Sequence, residues 1–295
     1  MLLTIYRYSI PIHLWNPAQK GLVVRIKNEE KTGWGEVLPL PGRSIESLDE
    51  ALSQLLDLEK GFSGPLFNSV AFGLKSASLN MPTSFSWPAA LFFMGSVSQI
   101  LYQFETYPIA GFSHAKLKLK DLSLKDALFV TKKLKKHFLL RLDMNLQWSK
   151  NELKEFCSHF HLDDFDYIED PGCDLSPFPV AYDELPPYSN QLEIWKPSVK
   201  GIPPSSHNII LGSSFESGIG LASIANLARH LSFPKVPLGI GTYHLLQEDL
   251  LETPLVFSQG TVTISSISPK MALLDKITEF RYAPNRYEKM ELRGV

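Results

Sequence analysis

The sequence predicts an α/β fold, with parallel strands and helices alternating into a closed barrel or a doubly wound sheet behind an antiparallel α+β region. Three observations carry this. Five short apolar runs, HAKLKLK, FLLRLDMN, FDYIEDP, PVAYDE and LEIWKPS, hold a charged residue at or near their ends: Lys118, Asp143, Glu169, Asp183 and Lys196. Lys118 to Asp143 spans 25 residues and Asp143 to Glu169 spans 26, enough for a strand, a helix and two short loops. The stretches between them repeat with helical period. Strands joined in this way wind right-handed into a sheet or barrel.

The elements follow in order. LLTIYRYSIPI, GLVVRIKN and TGWGEVLPLPG read as antiparallel strands, the third stopping at prolines. SIESLDEALSQLLDL is an amphipathic helix with Ser44 as its expected N-cap, and NSVAFGLKSASLN is a second helix. The Pro/Ser-rich Met81 to Pro88 segment reads as a domain junction. ALFFMG then begins the barrel, with a short helix near Ser98 to Phe104. LKDALFVTKKLKKHF places Ala127, Leu128, Val130, Leu134 and Phe138 near one face and lysines opposite. SKNELKEFCSHF opens with Ser149 and has Glu152 three residues later, a capping box. PLGIG (Pro237 to Gly241) reads as strand eight. From about Thr242 the tail reads as helix, loop and a short strand, VTI, packing back on the first domain.

One region departs from this rhythm. Glu169 to Asp183 is 14 residues and Asp183 to Lys196 is 13, and both are proline-rich without helical period. Parallel crossovers usually need at least ~10–12 residues including their helix, so these two connections read as loops.

Composition excludes more than it selects. The 295 residues are 44% hydrophobic with a net charge of -2, which gives no reason to expect a nucleic-acid or polybasic membrane partner. Cys157 and Cys173 make no disulfide framework and read as packed thiols in a reducing compartment. The first residues are apolar, but Arg7 and Pro11 interrupt them and no basic n-region precedes, so no signal peptide is expected. No run reaches the ~18 apolar residues of a membrane span. The expectation is a cytosolic protein acting on a small molecule, as a monomer, with an oligomer as the alternative.

The charged strand ends carry the chemistry. Burying a carboxylate or ammonium alone costs several kcal/mol or more, so such groups pair or hold a metal. Lys116, Lys118 and Lys120 alternate and point one way; alone they suit a solvated edge, but Leu117 and Leu119 would then face helices and the lysines the barrel interior. Two neighbouring ammonium groups also lower the pKa of one toward the range of a base. Arg141, Asp143 and Asn145 share a face, where an Arg–Asp salt bridge is the plainer reading. Glu169 and Asp170 face opposite ways, as do Asp183 and Glu184, and a one-residue slip would exchange them. Lys196 precedes Pro197, which cannot continue a central strand. The helix starting in GIGLASIANLARHL can attract an anionic group at its N-terminus, although it lacks the lysine and serine of a phosphate-binding loop.

GWGEVLPLPGRSIESLDEAL (Gly33 to Leu52), AKLKLK, LRLDMN, YIEDP, AYDE, IWKPS and GSSFESGIGL (Gly212 to Leu221) together resemble the enolase superfamily, and within it the o-succinylbenzoate synthase family of menaquinone biosynthesis. Each motif alone is weak; seven in the family's order, over nearly the whole chain, are specific. The resemblance implies a modified TIM-type (β/α)7β barrel with an N-terminal α+β capping domain. Residues 1–88, with the tail 271–295, would form the cap and 89–270 the barrel. It implies Mg2+, with Mn2+ as the alternative, held by Asp143, Glu169 and Asp183. Lys118 would be the base, with Lys116 beside it and Lys196 across the site. Substrate contacts fall on Arg141, Ser213, Ser214 and Gly239. Superfamily chemistry in general uses a Lys or His base and Mg2+ to form an ene-diolate.

The reaction so implied is the lyase dehydration of 2-succinyl-6-hydroxy-2,4-cyclohexadiene-1-carboxylate to 2-succinylbenzoate. His13 to Gly21 would be a lid, shorter than is usual in the family. Two rivals stand beside this reading: an N-succinylamino acid racemase or dipeptide epimerase using the same five residues with both lysines as bases, and a non-catalytic barrel, which the short connections suggest.

Overall fold

The computed structural model describes residues 1–13, 18–184, 191–204 and 208–283. Strands β1 (Leu2–Ile10), β2 (Gln19–Lys27) and β3 (Thr32–Val37) form the antiparallel run expected from the sequence. Alternation gives the sheet two apolar faces. Leu3, Ile5, Leu22 and Val24 pack against Leu55 of helix α1 (Leu48–Asp57) and Val70 and Leu74 of α2 (Asn68–Ser78). The opposite-facing Tyr6, Tyr8, Ile10 and Val23 join the large cluster that fills the rest of the chain. Gly33 and Gly35 let β3 approach α2, since a β-carbon on either would lie 1.9–2.0 Å from a helix carbonyl oxygen.

The N-cap of α1 is Ser47 rather than Ser44. Ser47 Oγ accepts from Glu50 N while the Glu50 carboxylate accepts from Ser47 N, a closed capping box; Ser44 Oγ is committed to Leu40 N in the preceding turn. The Met81 to Pro88 segment is also more than a junction. Its second half is strand β4 (Ser84–Pro88), which pairs with a strand near the end of the chain.

The barrel strands are β5 (Leu91–Phe93), β6 (His114–Lys118), β7 (Leu139–Asp143), β8 (Phe165–Glu169), β9 (Val180–Tyr182), β10 (Leu192–Trp195) and β11 (Ile209–Leu211). They lie side by side in chain order, all parallel. Helices α3 (Val97–Thr106), α4 (Leu124–Leu134), α5 (Lys150–Cys157), the short α6 (Pro197–Lys200) and α7 (Gly218–His230) fill the connections. Three serines, Ser96, Ser123 and Ser149, cap α3, α4 and α5. No helix occurs in residues 170–179, as the short spacing requires; the next short connection lies largely in residues outside those described.

The expected eighth strand, Pro237 to Gly241, is reduced to two parallel bridges, Ala89 to Leu238 and Gly212 to Gly239. Pro237 has no N–H to give, so pairing shrinks to four bonds: Leu238 N to Pro88 O, Ala90 N to Leu238 O, Gly239 N to Leu211 O and Ser213 N to Gly239 O. These link β5 to β11 and complete the barrel. The fold is the modified (β/α)7β barrel with an α+β cap. Leu117 and Leu119 are fully buried against the helices, each contributing ~1.5–3 kcal/mol, which fixes the lysines between them on the inner face.

The tail differs from expectation. The helix after Thr242 is a single 3₁₀ turn, Gly241–Leu245. The VTI segment lies in β13 (Thr261–Ser265), which pairs with β12 (Val256–Ser258) and β4 rather than with the N-terminal sheet. The contact with that sheet comes from a strand not read in the sequence, β14 (Asp275–Arg281), beside β1. Among the described residues no helix is long and apolar enough to cross a membrane.

Candidate active site

The inner face of the barrel and the loops at one rim bring the five charged strand ends together. Lys118 pairs in register with Asp143, and Asp143 with Glu169, so the three sit at one level. Asp183 follows β9, and Lys196 follows β10 as the N-cap of α6. Lys116, one pleat below Lys118, places Nζ 2.8 and 2.7 Å from the two Glu169 oxygens and 2.9 Å from Asp143 Oδ2. Lys118 Nζ stands 4.0 Å from Asp143, and Lys196 Nζ is 2.5 Å from Asp183 Oδ2.

These contacts sort the two lysines of the β6 face. Burial opposes the charge on Lys116, but Asp143 and Glu169 hold its pKa well above the ordinary lysine value. Burial lowers Lys118; the nearby charges of Lys116, Lys196 and Lys120 add to the effect, and Asp143 opposes it. Lys118 is therefore the lysine suited to take a proton, and Lys116 the fixed cation. Repulsion between neighbouring ammonium groups contributes as expected, with burial the larger cause. Burial pushes Glu169 up to about 7 while Lys116 pulls the other way. Asp143 and Asp183 are also buried, yet their lysine neighbours hold both below the ordinary carboxylate range.

The carboxylates suit a hard cation. Oxygens of Glu169, Asp170 and Asp183 all approach within 4.8 Å of one another, and Asp183 Oδ1 is buried with no hydrogen-bond partner. Asp143 adjoins through the shared Lys116 ammonium. Asp170 has other work: its carboxylate accepts from Asp183 N and from Glu184 N, and so braces the loop that carries Asp183. The carboxylates gathered here are thus Glu169, Asp170 and Asp183, whereas Asp143, expected among the ligands, lies outside that group and is linked to Glu169 through Lys116.

A cavity opens among Lys116, Lys118, Lys196 and Asp143, with Ser213, Gly239 and Thr242 on its rim and Phe92, Tyr167, Ile194, Ile210 and Phe215 as apolar walls. Ser213 Oγ contacts Gly239 O at 3.0 Å and Thr242 Oγ1 at 2.7 Å. Ser214 faces a different space, a cleft of ≈ 630 Å³ bordered by Gln19, Lys20, Leu38, Ile45 and Glu46, and its buried hydroxyl has no hydrogen-bond partner. Arg141 does not line the cavity. Its guanidinium is engaged by Asp166 Oδ2 at 2.8 Å and by Pro237 O at 2.7 Å and lies against the Tyr167 ring, which makes it an internal tie of the barrel. The plainer Arg–Asp reading is the one observed, with Asp166 rather than Asp143 as the partner.

Several site residues escaped the sequence reading. Tyr167 was within reach, because it lies two residues before Glu169 on the same face of β8. Arg43 had no such signal. It arrives from the segment between β3 and α1 and places its guanidinium 3.3 Å from Asp183 and 2.5 Å from Glu184. Of the expected lid, His13 to Gly21, residues 14–17 lie outside the described residues, and Gln19 to Gly21 are the start of strand β2.

Comparison with known proteins agrees with this architecture. Residues 2–81 match the family model described as MenC, N-terminal domain. The chain is 27% identical to the o-succinylbenzoate synthase of Citrobacter koseri over 294 residues, covering 82% of this chain and 91% of that one. It is 28% identical to that of Pectobacterium atrosepticum over 302 residues, covering 84% and 92%. Among solved structures, the o-succinylbenzoate synthase of Thermosynechococcus elongatus, complexed with Mg in its active site, superposes with a TM-score of 0.64 at 18% identity, covering 87% and 95%. The L-Ala-D/L-Glu epimerase of Bacillus subtilis gives 0.69 at 16%, covering 95% and 99%.

Proposed function

We propose that this chain, which has the enolase-superfamily fold and is similar in sequence to o-succinylbenzoate synthases, dehydrates 2-succinyl-6-hydroxy-2,4-cyclohexadiene-1-carboxylate to 2-succinylbenzoate. The observation that carries the reading is that Lys118 on β6 and Lys196 after β10 reach one cavity from well-separated strands, with Asp143 between the lysine-bearing elements. We take residues 1–88 with 271–295 as the cap and 89–270 as the barrel.

Mg2+ held by Asp143, Glu169 and Asp183 would supply the positive charge that makes a proton α to a carboxylate acidic enough to remove. Lys118 Nζ takes that proton. The Lys196 side chain lies across the site and stabilises the planar, electron-rich intermediate by its charge, a cation–π contact of ~2 kcal/mol when desolvated. The C–O bond then breaks, and the proton held by Lys118 is the one at hand for the departing hydroxide, so water leaves and the amine is restored. Formation of the aromatic ring drives the step. Phe92, Phe215 and Ile194 give the ring an apolar wall and exclude water, and Ser213 and Gly239 sit where a substrate oxygen can be met.

The test is loss of the cyclohexadiene absorbance when purified protein and Mg2+ are added, with 2-succinylbenzoate identified by mass. Protein that binds Mg2+ yet leaves the diene intact, while exchanging the α-proton of an N-succinyl amino acid, would sink the dehydratase reading. Protein with no Mg2+ affinity would point to a non-catalytic barrel.

A further inference from the structure

The segment from Gly212 to Ser217 forms one wall of the cavity, and it is held from two sides. On the barrel side Ser213 N donates to Gly239 O at 3.0 Å. On the other side the holds come from the N-terminal sheet. Gln19 Nε2 donates to Phe215 O at 2.5 Å. Glu36, on β3 and fully buried, accepts from Ser217 N at 3.1 Å, Ser217 Oγ at 2.7 Å and Gly220 N at 2.8 Å, and Tyr8 donates its hydroxyl to the other Glu36 oxygen. Glu216 accepts from Ser198 Oγ at 2.6 Å and from Ser214 N at 2.5 Å. Between these anchors Phe215 has φ +69, a backbone region that side-chain-bearing residues rarely occupy unless held there. Its ring stands edge-on to Phe92 at 6.0 Å within the cavity wall.

We propose that Glu36 is a positioning residue for the substrate cavity: by capping α7 from the N-terminal sheet it holds Phe215 in its left-handed conformation. The apolar wall then exists only while the sheet is seated on the barrel. The proposal rests on the reading of this cavity as the substrate site. A carboxyl group suits the task because Oε2 meets only donors, from Ser217 and Gly220, while Oε1 faces the Tyr8 hydroxyl, which can give or take a proton. A carboxamide must turn its N–H2 toward one set of these partners, and among the described residues no lysine or arginine forms an ion pair with Glu36. Gly220 is part of the same device, since a β-carbon there would lie 2.5 Å from both Glu36 Oε2 and Glu216 Cβ and displace these two anchors of the segment.

The experiment compares Glu36→Gln, Gln19→Ala and Gly220→Ala with the wild type in three measurements. Deuterium exchange of the peptide spanning residues 213–220 should accelerate about tenfold or more as the capping bonds are lost. Mg2+ affinity by calorimetry should stay within about twofold, because the carboxylates sit on β7, β8 and the loop after β9. KM for the diene should rise about tenfold with a smaller change in kcat, the signature of lost substrate binding. Faster exchange with unchanged KM and kcat would make Glu36 merely structural and overturn the proposal. So would a fall in Mg2+ affinity as large as the rise in KM. If Glu36→Gln does not fold, Gln19→Ala and Gly220→Ala carry the same readouts. If the wild type does not turn over the diene, the reaction assigned to the site falls, and the exchange arm alone decides the positioning: protection retained at residues 213–220 in all three variants overturns it.

Discussion

Glu36→Gln should change how stability depends on pH, apart from any effect on turnover. Burial pushes the Glu36 carboxyl from the usual 4.5 up to about 7, against the hydrogen bonds from Tyr8 and Ser217, with the nearby Glu216 carboxylate adding to the rise. The folded protein therefore holds a proton there that the unfolded chain has released. Stability is full below about 4.5 and falls as pH rises through the folded value, since the native state binds more protons in that window. Each pH unit across it is worth ~1.4 kcal/mol, so the wild type should lose ~3 kcal/mol relative to a variant that cannot titrate at this position. Tyr8 faces the same carboxylate, but burial raises its pKa far above this range. Glu216 is also raised and will ionise more easily once Glu36 is neutral, which trims the difference without reversing it. The assay is urea unfolding of metal-free protein at steps from about pH 5 to about pH 8, taking the difference between variant and wild type at each pH so that the shared carboxylates of the cation site cancel. The reasoning is refuted if the two stability curves run parallel, or if the wild type gains on the variant as pH rises.

Four further outcomes follow from the site. Glu169→Gln should weaken Mg2+ binding and turnover together, whereas Asp170→Asn should mainly lower the melting temperature by loosening the brace on Asp183; a larger metal-binding loss in the Asp170 variant would reverse the ligand assignment. Lys118→Ala should abolish exchange of the substrate α-proton with solvent, followed by NMR, and Lys118→Arg should be equally inactive because a guanidinium accepts no proton near neutrality. Lys196→Arg should keep measurably more dehydration than Lys196→Ala; equal loss, with a crystal structure excluding misfit of the larger head, would count against a single base. Arg141→Leu should cost ~3 kcal/mol of stability by orphaning Asp166 and Pro237 O while leaving KM unchanged, and a raised KM at intact stability would restore Arg141 as a substrate contact.

The strands and helices around the barrel were legible because each declares itself locally. Apolar runs of four or five residues, serine caps and helical period need no distant partner to be read. The exceptions show where local signals compete. Ser44 and Ser47 both precede the helix, and only Ser47 has its glutamate at the right spacing. The segment before Pro88 looks like a linker until β13 arrives from some 175 residues away to pair with it.

The sequence by itself placed charged residues at the ends of the barrel strands and set the lysines of β6 opposite Leu117 and Leu119, because a strand alternates with a period of two, but it left the choice between Glu169 and Asp170, and between Asp183 and Glu184, to the register. Only the tertiary structure decided how those charges divide the work. Lys116 rather than Lys118 binds the carboxylates, Arg141 turns to Asp166, Asp170 braces the loop, and Arg43 and Glu36 reach in from the N-terminal region. Hydrogen bonds and ion pairs act over about 3 Å, and no pattern along the chain records which distant side chains folding will bring within that distance.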